Sequence, residues 1–353
     1  MTFNGKWPQR IVSVGPFELK PMRGTAAQAR RVASPQPQRV TPLARSGIRV
    51  ARLAGNPIIR PAMLPGSDGN NINGPSLIRV PPWITDRLGN YYLYFAHHEG
   101  KYIRLAYADT LAGPWKVHAP GVLAIESTPC DDIGNPEVAS YKHVASPDVH
   151  VDDDTHEIRM YFHGPVHVSG PKDALLSYRQ MSMVATSRDG VHFDVRTERL
   201  GNAYFRAFRW NGAWYALSMP GVVYRSDDGL SGFVAGPTLF PSDMRHSAVN
   251  ADGATLQVYY SNAGDNPERI LLSTVDLSRP WTTWRATVPR VVLEPEMEWE
   301  GTALPAKPSI RGIAPGAVRE LRDPAIFVDA GRTYLLYSVA GESGIAIAEL
   351  HLR

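Results

Sequence analysis

Two aspartates stand beside prolines at the start of short apolar runs. One is in Ser146-Pro147-Asp148-Val149-His150, the other in Arg322-Asp323-Pro324-Ala325-Ile326. A carboxyl group held at the end of a buried strand can act as acid, base or nucleophile, because burial and neighbouring charge set its pKa. Glu268 and Glu342 follow two further tyrosine-rich runs and could supply a partner carboxyl. Around them recur cations and hydrogen-bonding groups: Arg206, Arg245, Arg322, His97, His98, His163, His246, Asn73, Ser76 and Tyr204. Arginine forks suit carboxylates and phosphates, and imidazoles suit proton transfer or anion binding. The adjacent pair His97-His98, read as lying on one strand, would point to opposite faces, which argues against joint ligation of a metal ion. No metal site or cofactor is expected from these residues, although the channel leaves room for a structural cation.

The elements that would bring these residues together repeat along the chain. A turn containing aspartate and closing on an aromatic residue appears at Asp109 to Trp115, Asp189 to Phe193, Asp227 to Phe233 and Asp276 to Trp281. The aspartate can accept its own downstream amides, Gly or Pro reverses the chain, and the ring packs below. Each turn follows short β-branched and aromatic runs of strand character. A unit that cannot bury its apolar face alone must stack on its neighbours. Five such units start near Asn73, Ser146, Ala203, Arg245 and Arg322, predicting an all-β five-bladed propeller rather than a β-sandwich. The last unit ends after its third strand, and Asn56-Pro57-Ile58-Ile59-Arg60 is the predicted outer strand that closes the ring. In a propeller the start of the first strand and the loop after the second share one face, so the residues named above should converge on one mouth of the central channel. Asn71, Glu99, His143, Ser146 and Asp265 belong to the same predicted set.

Composition fits one propeller domain, residues 48–353, preceded by a basic extension, residues 1–47. Hydrophobic residues make up 43% of the 353, enough for a sizeable core, and 30 Gly with 30 Pro suit a turn-rich chain. Residues 1–48 carry seven net positive charges, while the whole chain carries only three, so the rest is acidic on balance. The extension is rich in Pro, Gln, Ala and Arg and is predicted to be partly disordered. It has no apolar stretch typical of a secretory leader, which leaves the cytoplasm as the default compartment. No run of residues is apolar enough to span a membrane, and no basic stripe marks the propeller for nucleic acid. The single cysteine, Cys130, excludes an intrachain disulfide. Residues 120–145 and 293–320 are too long to be plain links between blades and are expected to fold over one face. The oligomeric state is not legible.

The segments Ser146-Pro147-Asp148-Val149-His150, Leu321-Arg322-Asp323-Pro324-Ala325 and Gly74-Pro75-Ser76-Leu77 with Tyr91-Tyr92-Leu93-Tyr94 resemble inner-strand motifs of five-bladed propeller glycosidases. These include the arabinanase and β-xylosidase family 43, the fructan-hydrolysing family 32 and the neoagaro-oligosaccharide hydrolases of family 117. The resemblance spans residues 73–350 and implies hydrolysis of a glycosidic bond. It assigns Asp148 the part of the pKa-tuning aspartate. Asp323 becomes a hydroxyl-binding or basic aspartate, with Glu268, Glu342, Glu99 or His246 as proton donor. The chain departs from the family-43 pattern where Asn73-Gly74-Pro75 replaces an Asp-Pro, and where Tyr204-Phe205-Arg206 stands in place of an acidic Glu. The arginines and histidines widen the reading to an anionic carbohydrate, a glycoside phosphorylase or a polysaccharide lyase with Tyr204 or a His as base. A non-catalytic carbohydrate-binding propeller is the fourth option.

Overall fold

A computed structural model describes residues 43–131, 142–172, 174 and 177–351. The basic extension up to residue 42 and Asp132 lie outside the described residues. The fold is an all-β five-bladed propeller. Its ring is closed by β1 (Arg49–Arg52), which adds an outer strand to the last blade. Blade one consists of β2 (Asn73–Arg79), β3 (Tyr91–Ala96), β4 (Tyr102–Ala108) and β5 (Lys116–Ala124). Blade two holds β6 (Ala145–Asp152), β7 (Glu157–His167) and β8 (Tyr178–Ser187), edged by the short β9 (Asp194–Val195) and β10 (Gly201–Asn202). Blade three is β11 (Arg206–Trp210), β12 (Ala213–Leu217), β13 (Val222–Ser226) and β14 (Val234–Thr238). Blade four is β15 (Met244–Asp252), β16 (Thr255–Asn262), β17 (Ile270–Asp276) and β18 (Arg290–Leu293). Blade five is β19 (Arg322–Asp329), β20 (Arg332–Ser338) and β21 (Ile345–His351), with β1 outermost. No helix of the described residues is long and apolar enough to cross a membrane.

The closing strand is not the predicted one. β1 pairs antiparallel with β21, Arg49 opposite His351 and Arg52 opposite Ala348. Residues 56–60 sit beyond that pairing. Ile58 donates its amide to Ile345 O at 2.8 Å, and the Asn56 side chain brackets Ile347 with two hydrogen bonds. The apolar Ile58-Ile59 pair drew the prediction because it looks like a strand centre. Those side chains are instead buried in the core between blades five and one. Arg52 reaches from β1 to the buried Glu300 at 2.8 Å and locks the closure from outside.

Core packing follows the ring. Each of five apolar clusters straddles one blade-to-blade seam, for example Tyr92 and Tyr94 against Met160 and Phe162, or Tyr259 and Ile270 against Leu335 and Tyr337. No blade buries its faces without both neighbours. The aspartate turns hold the outer corners. Asp189 Oδ1 accepts the amides of Val191 and His192, both at 2.8 Å, and Phe193 packs edge-on against Tyr94 of the preceding blade. In blade three Asp228, rather than the expected Asp227, accepts the Leu230 and Ser231 amides, and Asp227 faces Arg225 at the surface.

Candidate active site at the channel mouth

The inner strands carry one backbone feature five times. Gly74, Ser146, Tyr204, His246 and Asp323 all have left-handed backbone, with φ of 58°, 52°, 69°, 48° and 47°. In four blades the residue lies in a bulge where the register between first and second strand slips: Asn73/Ser76, Ala145/Asp148, Arg245/Ser247 and Arg322/Ala325. A bulge re-aims a side chain, and non-glycine residues with positive φ are held only where surrounding structure over-determines them. Ser146, Tyr204, His246 and Asp323 all line one cavity of about 280 Å³. In blade one the position is glycine, where an added Cβ would crowd Ser146 Cα at 3.2 Å.

That cavity is also lined by Asn73, His98, Glu99, His143, His163, Gln180, Arg245 and Arg311. At its wall Tyr204 Oη donates to Asp323 Oδ1 at 2.8 Å. The tyrosine ring lies 5.4 Å from the His246 imidazole, tilted by 31°, and the Arg206 guanidinium sits 4.2 Å from the ring centre. Four buried polar atoms of the lining have no hydrogen-bond partner: Asp323 Oδ2, His163 Nδ1, Gln180 Oε1 and His246 Nδ1, the last standing 3.6 Å from Asp323 Oδ1. Buried polar atoms are nearly always satisfied, so four along one cavity mark groups awaiting a ligand. Burial, reinforced by the charge of Glu342, raises the Asp323 carboxyl to about 6 against the pull of Tyr204, Arg245 and Arg322. Burial and then the charges of Arg245 and Arg322 push His246 well below its ordinary value, and burial with His143 and Arg206 does the same to His163. Both imidazoles are therefore neutral near pH 7. Burial and Asp323 drive the Tyr204 phenol well above 10.

Several expected mouth residues stand elsewhere. Glu268 is fully buried and forms a bidentate pair with Arg245, at 3.0 and 2.7 Å, while accepting Ser261 Oγ at 2.6 Å. Arg322 lies between Glu320, Glu268 and Glu342, its Nη1 3.0 Å from Glu342. The Glu342 carboxyl would be raised by burial, but His98 and Arg322 hold it at about 2. Arg206 donates to the carbonyls of Ser247, Ser146 and Pro147. The cationic mouth read from the sequence is thus internally neutralised, because a buried guanidinium needs carboxylates or carbonyls around it. Arg245 and Arg322 also donate to the carbonyls of Ile310 and Gly312 at 3.1 Å, fastening the 293–320 insert onto the mouth. That insert brings Arg311, a residue the sequence reading did not single out, to the rim.

Asp148 does not reach the mouth. With Ser76, His150 and Arg206 it lines a separate cavity of about 100 Å³. Its Oδ2 meets His150 Nε2 at 2.8 Å and accepts the Ala207 amide at 2.7 Å. Burial raises this carboxyl, but His150 and Arg206 outweigh it and hold the group below its usual range. His97 and His98 follow β3 in a turn rather than lying on a strand, so His98 lines the mouth and His97 the neighbouring cavity. Asn73 lines the mouth; its amide donates to Asn71 Oδ1 at 3.1 Å, and Asn71 in turn donates to Glu342. Asp265 and its neighbour Arg269 pair at 3.6 Å away from the cavity lining. The buried Cys130 thiol is pushed up to about 12 by burial and is no nucleophile. Among the described residues no group of three His, Cys, Asp or Glu is placed to hold a metal ion.

No family model matches the chain. It is 39% identical over 328 residues to the uncharacterized protein R118 of Acanthamoeba polyphaga mimivirus, a match covering 85% of this chain and 90% of that protein. Among solved structures, one of the GH130 family of mannoside phosphorylases superposes with a TM-score of 0.61 at 12% identity, covering 85% of this chain and 93% of the other. That family contains glycoside hydrolases that target β-1,2 mannosidic linkages in Candida mannan. A glycosyl hydrolase from Bacteroides ovatus gives 0.60 at 12% identity, covering 85% and 93%. The GH43_1 enzyme from Xanthomonas citri complexed with xylose gives 0.52 at 12%, covering 80% and 88%. The fold is that of the five-bladed propeller glycoside hydrolases, as the inner-strand motifs implied.

Proposed function

The chain belongs to the same family as the mimiviral protein R118, and on the geometry of its channel mouth we propose that it cleaves a glycosidic bond of a carbohydrate seated there. The carrying observation is Asp323. Its carboxyl is buried, is raised to about 6, and has one oxygen held by Tyr204 and the other without a partner. A carboxylic acid kept protonated toward neutral pH by its surroundings is what a glycosidase needs to protonate a leaving-group oxygen. In this reading Asp323 gives its proton to the glycosidic oxygen as the bond to the anomeric carbon breaks. Glu99 is the other carboxylate lining the cavity among the described residues, and it is exposed at the rim. It takes the proton of the water that attacks the anomeric carbon. Tyr204 fixes the rotamer of Asp323, and the neutral His163 and His246 pair with sugar hydroxyls. Propeller glycosidase relatives in fold support a carbohydrate as substrate.

Phosphorolysis is the second reading, and Arg311 favours it. Among the described residues no carboxylate pairs with this rim guanidinium, which donates to the Ser242 carbonyl. A phosphate bound there would attack in place of water. A panel of oligosaccharides, assayed for new reducing ends with and without inorganic phosphate, tests both. The proposal expects cleavage with kcat/KM falling as pH rises through about 6, because the acid is lost. A non-catalytic binding propeller would cleave nothing, and an activity rising through that pH would make Asp323 a base.

A further inference from the structure

Beside the mouth lies a second cavity of about 340 Å³, lined by Asp68, Asn70, His97, Lys101, Tyr102 and Arg104 among others. Glu99 lines both cavities, His98 faces the mouth and His97 faces the second, so the short turn after β3 is the ridge between them. The Arg206 guanidinium covers the Tyr204 ring and is tied to three backbone carbonyls from blades two and four. A sugar chain seated in the mouth has the second cavity as its neighbour across the ridge. The second cavity carries the marks of a polar ligand site. Arg104, itself buried, forms part of the wall. Its Nη1 donates to Asn71 O at 2.8 Å and its Nη2 stands 3.6 Å from Asp68, but its Nε is buried and without a partner. Tyr102, whose hydroxyl donates to Asp68, presents a partly exposed ring, and Asn70 stands open at the edge. Aromatic rings beside fixed polar groups suit the apolar face and hydroxyls of a sugar. Asn71 links the two cavities. Its carbonyl holds Arg104, while its side chain accepts the His98 amide at 2.8 Å and donates to Glu342.

We propose that this cavity is a distal sugar subsite, so that the protein binds an oligosaccharide of at least three units across the mouth and this cavity. The proposal rests on the reading of the mouth as a glycosidic-bond-cleaving site. Its test is a chain-length series of neutral disaccharides and trisaccharides (gluco-, manno-, xylo- and galacto-) on wild type and Asn70→Trp. The introduced ring fills an exposed edge without touching the core. The wild type should show kcat/KM for a trisaccharide roughly tenfold or more above that for its disaccharide, the worth of one good sugar contact. Asn70→Trp should bring that ratio near one, through KM. A wild-type ratio near one, or a ratio unmoved by Asn70→Trp, overturns the subsite and leaves the chemistry at Asp323 standing. If no sugar is cleaved, the reading of Asp323 fails, and saturation-transfer NMR of the same trisaccharides judges the subsite alone. Contacts to a third ring that vanish in Asn70→Trp would sustain it, whereas their absence, or their survival in that variant, would overturn it.

Discussion

Asp148 and Asp323 look interchangeable in the sequence, each beside a proline at an inner strand, yet the fold gives them opposite surroundings. Asp323 precedes its proline and takes the left-handed bulge position that faces the mouth. In blade two that position belongs to Ser146, and Asp148 follows the proline, where it faces the small inner cavity. One offset of two residues therefore separates a carboxyl whose environment is incomplete from one whose environment is finished. Asp148 has His150, the Ala207 amide and Arg206 about it. Asp323 has Tyr204 on one oxygen and nothing on the other. Identity of residue type says little about role, and the balance of satisfied and unsatisfied lone pairs says more.

Replacing each aspartate by asparagine is the widest way to break this contrast. Asp323→Asn should cut turnover of a cleaved glycan by roughly 10²–10⁴, the usual worth of a positioned proton donor. Asp148→Asn should change it by less than about tenfold. Equal losses would erase the distinction. The buried ion network comes next. Glu268→Gln leaves Arg245 and Arg322 short of a buried countercharge and should lower stability by about 3–5 kcal/mol in urea titrations.

The same two asparagine variants should then move stability in opposite directions at pH 7. The folded-state pKa of Asp323 is raised, so its contribution is full below about pH 4 and is lost as pH rises through about 6. Removing its charge should therefore stabilise at pH 7, by on the order of 1–3 kcal/mol. Asp148 is held low, so its contribution is present above the ordinary carboxylate range and is lost as pH falls below it. Asp148→Asn should destabilise at pH 7 by about 1–3 kcal/mol, as a buried hydrogen-bonded acceptor is weakened. Thermal melts at pH 4 and pH 7 check both signs. The smallest effect concerns blade one. Gly74→Ala should cost about 1–2 kcal/mol, from a left-handed backbone and a close approach to Ser146.

The repeat was readable because it lies in local chemistry: aspartate turns, strand-forming runs and the aromatic residues that close them. The number of blades and the inner strands that start near Asn73, Ser146, Arg245 and Arg322 came with it. The closing strand was not readable. Arg49–Arg52 is half-polar and pairs with residues almost 300 positions away, so no local pattern announces it. The mouth was legible as a list of residues and illegible as an electrostatic balance. Which arginine meets which glutamate depends on contacts between blades, as Arg322 with Glu268 shows. One signal was present and unused: aligning Gly74-Pro75, Ser146-Pro147 and Asp323-Pro324 on their prolines puts Asp323, and not Asp148, at the shared position.

The central claim is that Asp323 keeps its proton up to about pH 6 while Asp148 is ionised well below that pH, and carboxyl-carbon NMR titration reads this without any substrate. Spectra of the wild type, with Asp323→Asn and Asp148→Asn assigning the two resonances, should show Asp323 titrating with a midpoint of about 6 and Asp148 below the usual aspartate range. An Asp323 midpoint below about 4, the ordinary value for an aspartate, would contradict the account, because the mouth would then contain no acid poised to give up a proton.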